Sequence, residues 1–209
     1  MDSLPLLLAF VAAATLLAVT PGLDTAIVLR TATVEGRRPA LLAALGIGLG
    51  CLVWGVAVSL GLGALLQASE LAYMVVKVVG ATYLVWLGVR LILRPRTAID
   101  HGAAGAGVRG GRDAFWRGLL ANLLNPKVGV FYVTFLPQFV PVGADVASYS
   151  LFLASLHVLL TIVWFSTLIA ATVPLGRFLR QPVVVRGLDR LTGGVFIAFG
   201  LKLAASSAR

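Results

Sequence analysis

The chain has 209 residues, of which 59% are hydrophobic and only 12% are charged, and its mean hydropathy is +0.99. Because soluble domains carry about a quarter charged residues, this composition excludes a soluble globular domain and predicts a membrane protein. The net charge of +9 would also suit nucleic-acid binding, but the positions of the basic residues explain it otherwise, as described below.

Six apolar stretches follow one another along the chain, each long enough to cross a bilayer. A membrane helix needs about 20 apolar residues to span roughly 30 Å of hydrocarbon, and a window of about 19 residues locates such stretches. The predicted spans are residues 4–29, 40–65, 71–93, 115–140, 147–173 and 187–204. The first stretch is flanked by Asp2 and by no Lys or Arg, so we interpret it as a retained span and not as a secretory signal.

The basic residues are concentrated in every second connection between these spans. Most of the 17 Lys and Arg residues follow the first, third or fifth span, whereas the connections QASE and VPVGADVAS contain acidic residues and no basic one. Positive loops mark the cytoplasmic side of a membrane protein. We therefore expect both termini on the extracytoplasmic side, and the +9 charge is explained without a nucleic-acid partner.

The longest connection divides the chain into two halves of three spans each. Residues 95–113 are rich in Gly and Ala and lack apolar periodicity, which predicts a flexible cytoplasmic linker between residues 1–94 and residues 114–209. Two successive three-span halves have opposite orientations in the membrane, so a relation between them would be an inverted repeat, as in many secondary transporters. A weak match of ATYLVWLGVRL with GVFIAFGLKL, which aligns Gly88 with Gly200, favours such a repeat.

Proline interrupts the opening span of each half. Pro21 and Gly22 lie inside the first span, and Pro126 follows Asn125 inside the fourth. Each proline is nine positions from an arginine at the cytoplasmic side, a distance of about 13 Å along a helix, which predicts breaks near the bilayer centre. Proline frees backbone carbonyl groups that need a polar partner in lipid, although a simple kink in a packed helix is the alternative interpretation.

A charged residue accompanies each break. Asp24 lies three positions after Pro21, and Lys127 directly follows Pro126. An ionised side chain near the bilayer centre costs roughly 3 kcal/mol, which favours a functional role. We predict Asp24, Asn125 and Lys127 as ligands of a substrate or ion. Asp24 and Lys127 either neutralise each other or hold the ammonium and carboxylate of an α-amino acid, and Asp24 could equally carry a coupling proton.

With these residues placed, the chain resembles the LysE/RhtB family of bacterial amino-acid exporters. The resemblance rests on TPGLDT in the first span, GRRPALLAALGIGLG before the second, VVGATYLVWLGVRLI in the third and FWRGLLANLLNPKVGVFYVTFLPQFV through the fourth. It implies a six-helix carrier of the bacterial inner membrane that expels amino acids or close derivatives in exchange for protons. At the matching positions it implies functional roles for Pro21, Gly22, Asp24, Asn125, Pro126 and Lys127.

Three other classes of function agree less well with the sequence. Two histidines and one cysteine are a poor ligand set for a carrier of transition metals, and we expect neither a metal nor a cofactor. An intramembrane serine protease would need a nucleophile motif, and Ser155 is only two positions from His157, so we do not expect an enzyme. A membrane assembly protein would not require charges near the bilayer centre.

Several further positions have two interpretations. His157, deep in the fifth span, is predicted either to relay protons or to form a hydrogen bond within the helix packing. Gly46 and Gly50 have the spacing at which small residues let helices approach closely, and we interpret both as packing residues. Exposed faces of small residues also favour a homodimer.

Overall fold

The described part of the chain is built entirely from helices. The computed structural model describes residues 3–68, 70–95, 110–171, 178 and 181–205, and within these residues every regular element is helical, as the predicted all-α class requires. The α-helices are α1 (Ser3–Val19), α2 (Leu23–Val34), α3 (Arg37–Ala68), α4 (Glu70–Leu93), α5 (Gly111–Leu123), α6 (Pro126–Val130), α7 (Val146–Ala170) and α8 (Pro182–Ala205). A π-helical turn (Phe131–Phe135) and a 3-10 turn (Leu136–Phe139) continue α6.

The described residues contain two helices that could cross a membrane alone and two bent pairs that could each form one span. Arg37–Gly61 of α3 and all of α7 are long and apolar enough to be membrane spans. The bent pairs are α1 with α2, at 52°, and α5 with Lys127–Phe139, at 54°. The chain is therefore a multi-pass protein with two to four candidate spans. The set of six spans, which would also include α4 and α8, stays a prediction.

The sequence predicted where the opening spans break but misplaced the start of the last helix. The first span is interrupted between Val19 and Leu23, and the fourth between Leu123 and Pro126. α8 begins at Pro182, earlier than the predicted span, because proline at the first position of a helix suits the backbone angles there. Arg186, which precedes the predicted span of residues 187–204, is therefore part of α8.

The predicted linker lies mostly outside the described residues. Positions 96–109 of the predicted linker, residues 95–113, are not among them. α5 begins at Gly111, so the last residues assigned to the linker are helical and precede the predicted start of the second half at residue 114. Gly36, with φ of 99°, separates α2 from α3 in a conformation that residues other than glycine rarely adopt.

The central helix α3 packs closely against α5 and α7. A Cβ atom on Gly46 would collide with the Phe115 carbonyl oxygen of α5, and one on Gly118 would collide with the Ala43 carbonyl oxygen of α3. The predicted packing role of Gly46 is confirmed by this contact. Gly111 faces Leu42 near the start of both helices and Gly50 faces Asn122 further along both, so these two helices run parallel. α7 runs antiparallel to α3, since Gly48 faces Ile162 whereas Gly55 faces Ala154.

The helices α4 and α8 form a second close pair. A Cβ atom on Gly88 would lie 2.6 Å from the Gly193 carbonyl oxygen, and one on Gly200 would lie 3.0 Å from the Ala81 carbonyl oxygen. Residue numbers therefore fall along α8 as they rise along α4, so the pair is antiparallel. Glycine allows two backbones to approach this closely.

Five phenylalanine rings pack together where the N-terminal half of α1 meets the end of the fourth span and the C-terminal half of α8. Neighbouring ring centroids are 4.2 Å to 6.3 Å apart, and the closest pair is Phe135 with Phe199. We call this group the aromatic cluster. Its members are Phe10, Phe131, Phe135, Phe139 and Phe199.

Asp145 fixes the start of α7. Its carboxylate accepts a hydrogen bond of 2.9 Å from the Ser148 backbone N–H, as an N-cap residue does. The hydrogen bonds from the Ser148 side chain and backbone hold the pKa of Asp145 below its ordinary value.

Candidate functional site

The first helix break leaves two carbonyl groups without partners in their own helix. Because Pro21 has no N–H, the carbonyl of Leu17 lacks the hydrogen bond that a continuous helix would supply. Gly22 is extended, and α2 begins only at Leu23, so the carbonyl of Thr20 is also outside the regular pattern. These two oxygens face the second half of the chain.

Lys127 occupies the position opposite these carbonyl groups. Its ammonium donates hydrogen bonds of 3.1 Å to the Leu17 carbonyl oxygen and 3.3 Å to the Thr20 carbonyl oxygen. A lysine from the second break thus satisfies the backbone that the first break exposed. This arrangement supplies the polar partner that irregular backbone requires inside a membrane protein.

The second break is organised by two asparagines. Asn125 is the N-cap of α6, and its side-chain oxygen accepts a hydrogen bond of 3.1 Å from the backbone N–H of Lys127. Asn122, one helical turn earlier, is fully buried. Its backbone carbonyl accepts from the N–H of Asn125 at 3.0 Å, which tightens the end of α5. Both asparagine side chains remain free to donate across the interface between the halves.

Their acceptor is Asp24, in the first turn of α2. The side-chain amide of Asn122 donates to one carboxylate oxygen at 3.0 Å, and the amide of Asn125 approaches the other at 3.4 Å. The Asn122 amide also lies 3.5 Å from the Cys51 sulfur of α3. Asp24 is half-buried, lies at a helix N-terminus and faces two amide donors, an environment that stabilises a carboxylate.

Asp24 and Lys127 line one small cavity. The space open to the centre of a water molecule is about 40 Å³, enough for a few waters but not for an amino acid. The helices around the cavity must therefore separate to admit a larger molecule. The cavity is lined by Leu17, Ala18, Thr20, Gly22, Leu23, Asp24, Thr25, Cys51, Asn125, Lys127, Val128, His157, Thr161 and Phe165.

One wall of the cavity comes from α7. His157 and Thr161 are buried and lie one helical turn apart, so both face the cavity. His157 Nδ1 lies 2.9 Å from the hydroxyl of Tyr132 in the π-helical turn. The hydrogen-bonded histidine that the sequence allowed is therefore present, and it also lines the cavity.

A pair of threonines links the first break to α8. The hydroxyl of Thr20 donates to the Leu16 carbonyl oxygen at 2.6 Å and lies 2.7 Å from the hydroxyl of Thr192. Asp189, one turn before Thr192, is fully buried. The first break is therefore in direct contact with α8.

The predicted site residues come together, but sequence reasoning missed part of their surroundings. Asp24, Asn125 and Lys127 line the same cavity, as does Gly22, which follows Pro21 in the chain. Pro126 occupies the first position of α6. The sequence did not single out Asn122, Thr161 or Tyr132. For Asn122 there was a signal, because an amide one turn before Asn125 lies on the same helix face. Gly50, interpreted only as a packing residue, lies against the Asn122 side chain and so also supports the site.

Comparison with known proteins identifies relatives along almost the whole chain. A leucine efflux protein of Enterobacter sp. (strain 638) is 31% identical and aligns with 94% of this chain and 93% of its own length. A homoserine/homoserine lactone efflux protein of Salmonella typhimurium is 31% identical over 95% of each chain. A threonine efflux protein of Salmonella typhi is 31% identical over 90% of this chain and 91% of its own.

No solved structure matches the chain. The family description that matches, over residues 15–207, is LysE type translocator. This match covers both helix breaks and all of the cavity-lining residues, and the resemblance that the sequence motifs indicated is thereby confirmed. The chain belongs to the LysE type translocator family.

Proposed function

We propose that the protein is a secondary active exporter of α-amino acids that exchanges its substrate for protons across the bacterial inner membrane. The observation that carries this proposal is the cavity in which Asp24 and Lys127 meet between two broken helices. Relatives named as leucine, threonine and homoserine efflux proteins support amino acids as substrates and export as the direction.

The charges in the cavity complement a zwitterion. The ammonium of an α-amino acid would take the place that the amide of Asn125 now holds beside Asp24, at 3.4 Å. The carboxylate would accept from Lys127, whose ammonium now bonds to the Leu17 and Thr20 carbonyl groups. Each internal contact joins one charged and one neutral group, whereas each substrate contact would join two opposite charges, which favours substrate over the internal contacts.

Proton exchange needs a group that binds a proton when substrate is absent. Asp24 is suited to this role, because substrate ammonium and a proton would compete for the same carboxylate. The amide of Asn122 donates to the other oxygen of Asp24 and holds this side chain in place in either state. Binding of the substrate ammonium would release the proton from Asp24, and binding of a proton would release the substrate, as exchange requires.

The packing of the helices supports six spans arranged as an inverted repeat. The antiparallel pairs α3–α7 and α4–α8 would each join equivalent spans of the two halves, and the bends of 52° and 54° lie in the equivalent opening spans. Arg117 of α5 and Glu35 after α2 form an ion pair of 2.6 Å, as expected if both lie on the cytoplasmic side. We propose that both termini lie on the opposite, extracytoplasmic side.

Alternating access would use the aromatic cluster as one barrier. The cluster includes Phe10 from α1 and Phe139 from the end of the fourth span, so it lies on the extracytoplasmic side in the proposed orientation. A π-helical turn precedes the 3-10 turn in this segment, and such irregular turns are common where helices move during function. Separation of these rings would open the cavity outwards.

The decisive experiment measures efflux of labelled amino acids from proteoliposomes with and without a pH gradient. Loss of the charge in Asp24→Asn or Lys127→Ala should reduce efflux by about ten- to a hundredfold, because each removes one or two charge-assisted hydrogen bonds to substrate. In Asp24→Asn, any remaining efflux should no longer respond to the pH gradient.

Matched controls use charged side chains outside the cavity. Asp113→Asn in the first turn of α5 and Arg38→Ala in α3 each remove a charge from an exposed residue and should leave efflux unchanged. Undiminished efflux in both Asp24→Asn and Lys127→Ala would refute the assigned site. Absence of efflux for every amino acid in the wild type would refute the proposed function.

A further inference from the structure

Thr161 and Ser150, both in α7, have buried hydroxyl groups without a partner among the described residues, and of the two only Thr161 lines the described cavity. A serine or threonine within a helix commonly donates to the carbonyl four residues earlier. Thr161 is only 5% exposed, yet its hydroxyl has no hydrogen-bond partner among the described residues. The residues that make the ordinary bond are Thr20, Thr33, Ser59, Thr134, Ser155 and Thr167.

A buried hydroxyl without a partner is destabilising unless something else binds it. Thr161 lines the cavity, and its neighbours one turn away on the same face of α7, His157 and Phe165, line it as well. Water in the cavity, or a ligand that displaces this water, would satisfy the Thr161 hydroxyl, since a native protein rarely leaves such a group without a hydrogen bond.

The rest of the lining restricts the charge of that ligand. Among the described residues around the cavity, the carboxylate is Asp24 and the ammonium is Lys127. Under the proposed function these two bind the α-ammonium and the α-carboxylate of the substrate. No further carboxylate or Lys or Arg side chain in this lining then remains to pair with a charged substrate side chain.

We propose that the α7 wall is the subsite for the substrate side chain, and that its preferred occupant is a short, uncharged side chain bearing a hydroxyl group. This inference rests on the proposed function. A substrate hydroxyl would satisfy Thr161, whereas an apolar side chain of the same shape would leave the threonine hydroxyl buried and unpaired. Leu17, Val128 and Phe165 supply apolar surface for the carbon atoms.

The first test compares substrates of equal shape. Proteoliposomes containing the full chain are loaded with labelled L-threonine or L-valine, and in a second pair with L-homoserine or L-norvaline; L-lysine and L-glutamate complete the panel. The hydroxylated member of each pair should be exported about tenfold more efficiently, the value of one net hydrogen bond of about 1.4 kcal/mol. Lysine and glutamate should be poor substrates.

The second test changes the Thr161 hydroxyl, which would bind the hydroxyl of the substrate. Thr161→Val removes it at nearly constant volume and should abolish the preference for threonine over valine, whereas Thr161→Ser should retain the preference. Thr161→Val should also fold well, because it eliminates an unpaired buried hydroxyl, and its melting temperature should be no lower than that of the wild type. Thr167→Val is the control, since Thr167 donates to the Val163 carbonyl oxygen and is exposed.

The outcomes separate the two proposals. A lost preference in Thr161→Val, kept in Thr161→Ser and in Thr167→Val, supports the subsite. Equal export of threonine and valine by the wild type, or an unchanged ratio in Thr161→Val, overturns the subsite while export of amino acids stands. Failure of every amino acid to move overturns both proposals.

Discussion

Gly50 shows how one residue without a side chain supports a polar contact. A Cβ atom at this position would lie 2.6 Å from the side-chain oxygen of Asn122, and the amide nitrogen of the same side chain donates to Asp24 at 3.0 Å. Gly50→Ala should therefore displace Asn122, lower the stability by about 1–3 kcal/mol and reduce efflux by about tenfold. Thermal melting in detergent and efflux from proteoliposomes measure the two effects.

Gly61→Ala is the matched control for this substitution, because it lies in the same helix and a Cβ atom there would have no neighbour within 4 Å. It should be neutral or slightly stabilising, since alanine favours a helix over glycine. An effect of Gly50→Ala no larger than that of Gly61→Ala would contradict the supporting role of Gly50.

At the scale of single residues, the sequence predicted the unusual residues but not their partners. Asp24 and Lys127 were recognisable because a charge in an apolar span is costly. Asn122 and Thr161 are ordinary residues in membrane helices, and their importance depends on which side chains they meet. Asn122 and Asp24 are 98 positions apart in the chain, so their contact follows from the helix packing and not from any local pattern.

Within the elements, Pro21 determines which carbonyl groups are available to Lys127. Pro21→Ala would supply an N–H to the Leu17 carbonyl oxygen, which now accepts from Lys127 at 3.1 Å. We expect a melting temperature equal to or above that of the wild type, because the helix gains a hydrogen bond of about 1 kcal/mol. Efflux should fall, because the Lys127 ammonium loses the Leu17 carbonyl oxygen as an acceptor.

A comparison with Pro39→Ala tests whether this effect belongs to the break. Pro39 lies in the first turn of α3, where a backbone N–H has no partner within the helix. Pro39→Ala should therefore change efflux little. Equal activity of Pro21→Ala and the wild type would mean that the break is only a kink.

Phe135, in the irregular end of the fourth span, is expected to help seal the aromatic cluster. Phe135 lies 4.2 Å from Phe199 and 4.9 Å from Phe131 between ring centroids, at the centre of the aromatic cluster. Phe135→Ala should open this barrier and increase passive leak of substrate without a driving gradient, with a stability loss of about 3 kcal/mol. Leak is measured as efflux from loaded proteoliposomes after the gradient has been collapsed.

Two variants control for loss of stability. Phe135→Leu retains most of the volume and should leak less than Phe135→Ala. Phe152→Ala removes a ring that is 49% exposed and contacts Tyr149 outside the cluster, so it should not leak. If the passive leak of Phe135→Ala equals that of the wild type, the aromatic cluster is not the barrier.

The elements themselves were predictable to different degrees. Long apolar stretches identified α3 and α7, and proline identified both breaks, because its missing N–H acts locally. The π-helical turn at Phe131–Phe135 had no such signal. No proline or glycine lies within it, and it arises where these aromatic side chains pack against neighbouring helices.

For the whole molecule, the ion pair between Arg117 and Glu35 joins the two halves. The Glu35 side chain is 3% exposed and that of Arg117 is 22% exposed, at a distance of 2.6 Å. Arg117→Ala should be strongly destabilising, by about 3–5 kcal/mol, because it leaves a buried carboxylate unpaired. A double-mutant cycle with Glu35→Ala, followed by thermal melting, should give a coupling energy of about 1–3 kcal/mol.

Additive effects of the two substitutions would show that the pair does not stabilise the assembled halves. The distribution of basic residues predicted that Arg117 lies on the cytoplasmic side, but the sequence did not predict its contact with Glu35. Charge distribution fixes the side of the membrane on which a loop lies, whereas a specific pair depends on how the helices between them are packed.

The hydrogen bonds from Lys127 to the Leu17 and Thr20 carbonyl groups have a consequence for biogenesis. The ribosome delivers α1 to the bilayer about a hundred residues before it delivers Lys127, so the acceptors are in place when the lysine enters. A second half synthesised alone would lack these two acceptors for the Lys127 ammonium, and a charged side chain within the bilayer costs roughly 3 kcal/mol. Correct insertion of the second half therefore depends on the first, and the order of synthesis is part of how this chain folds.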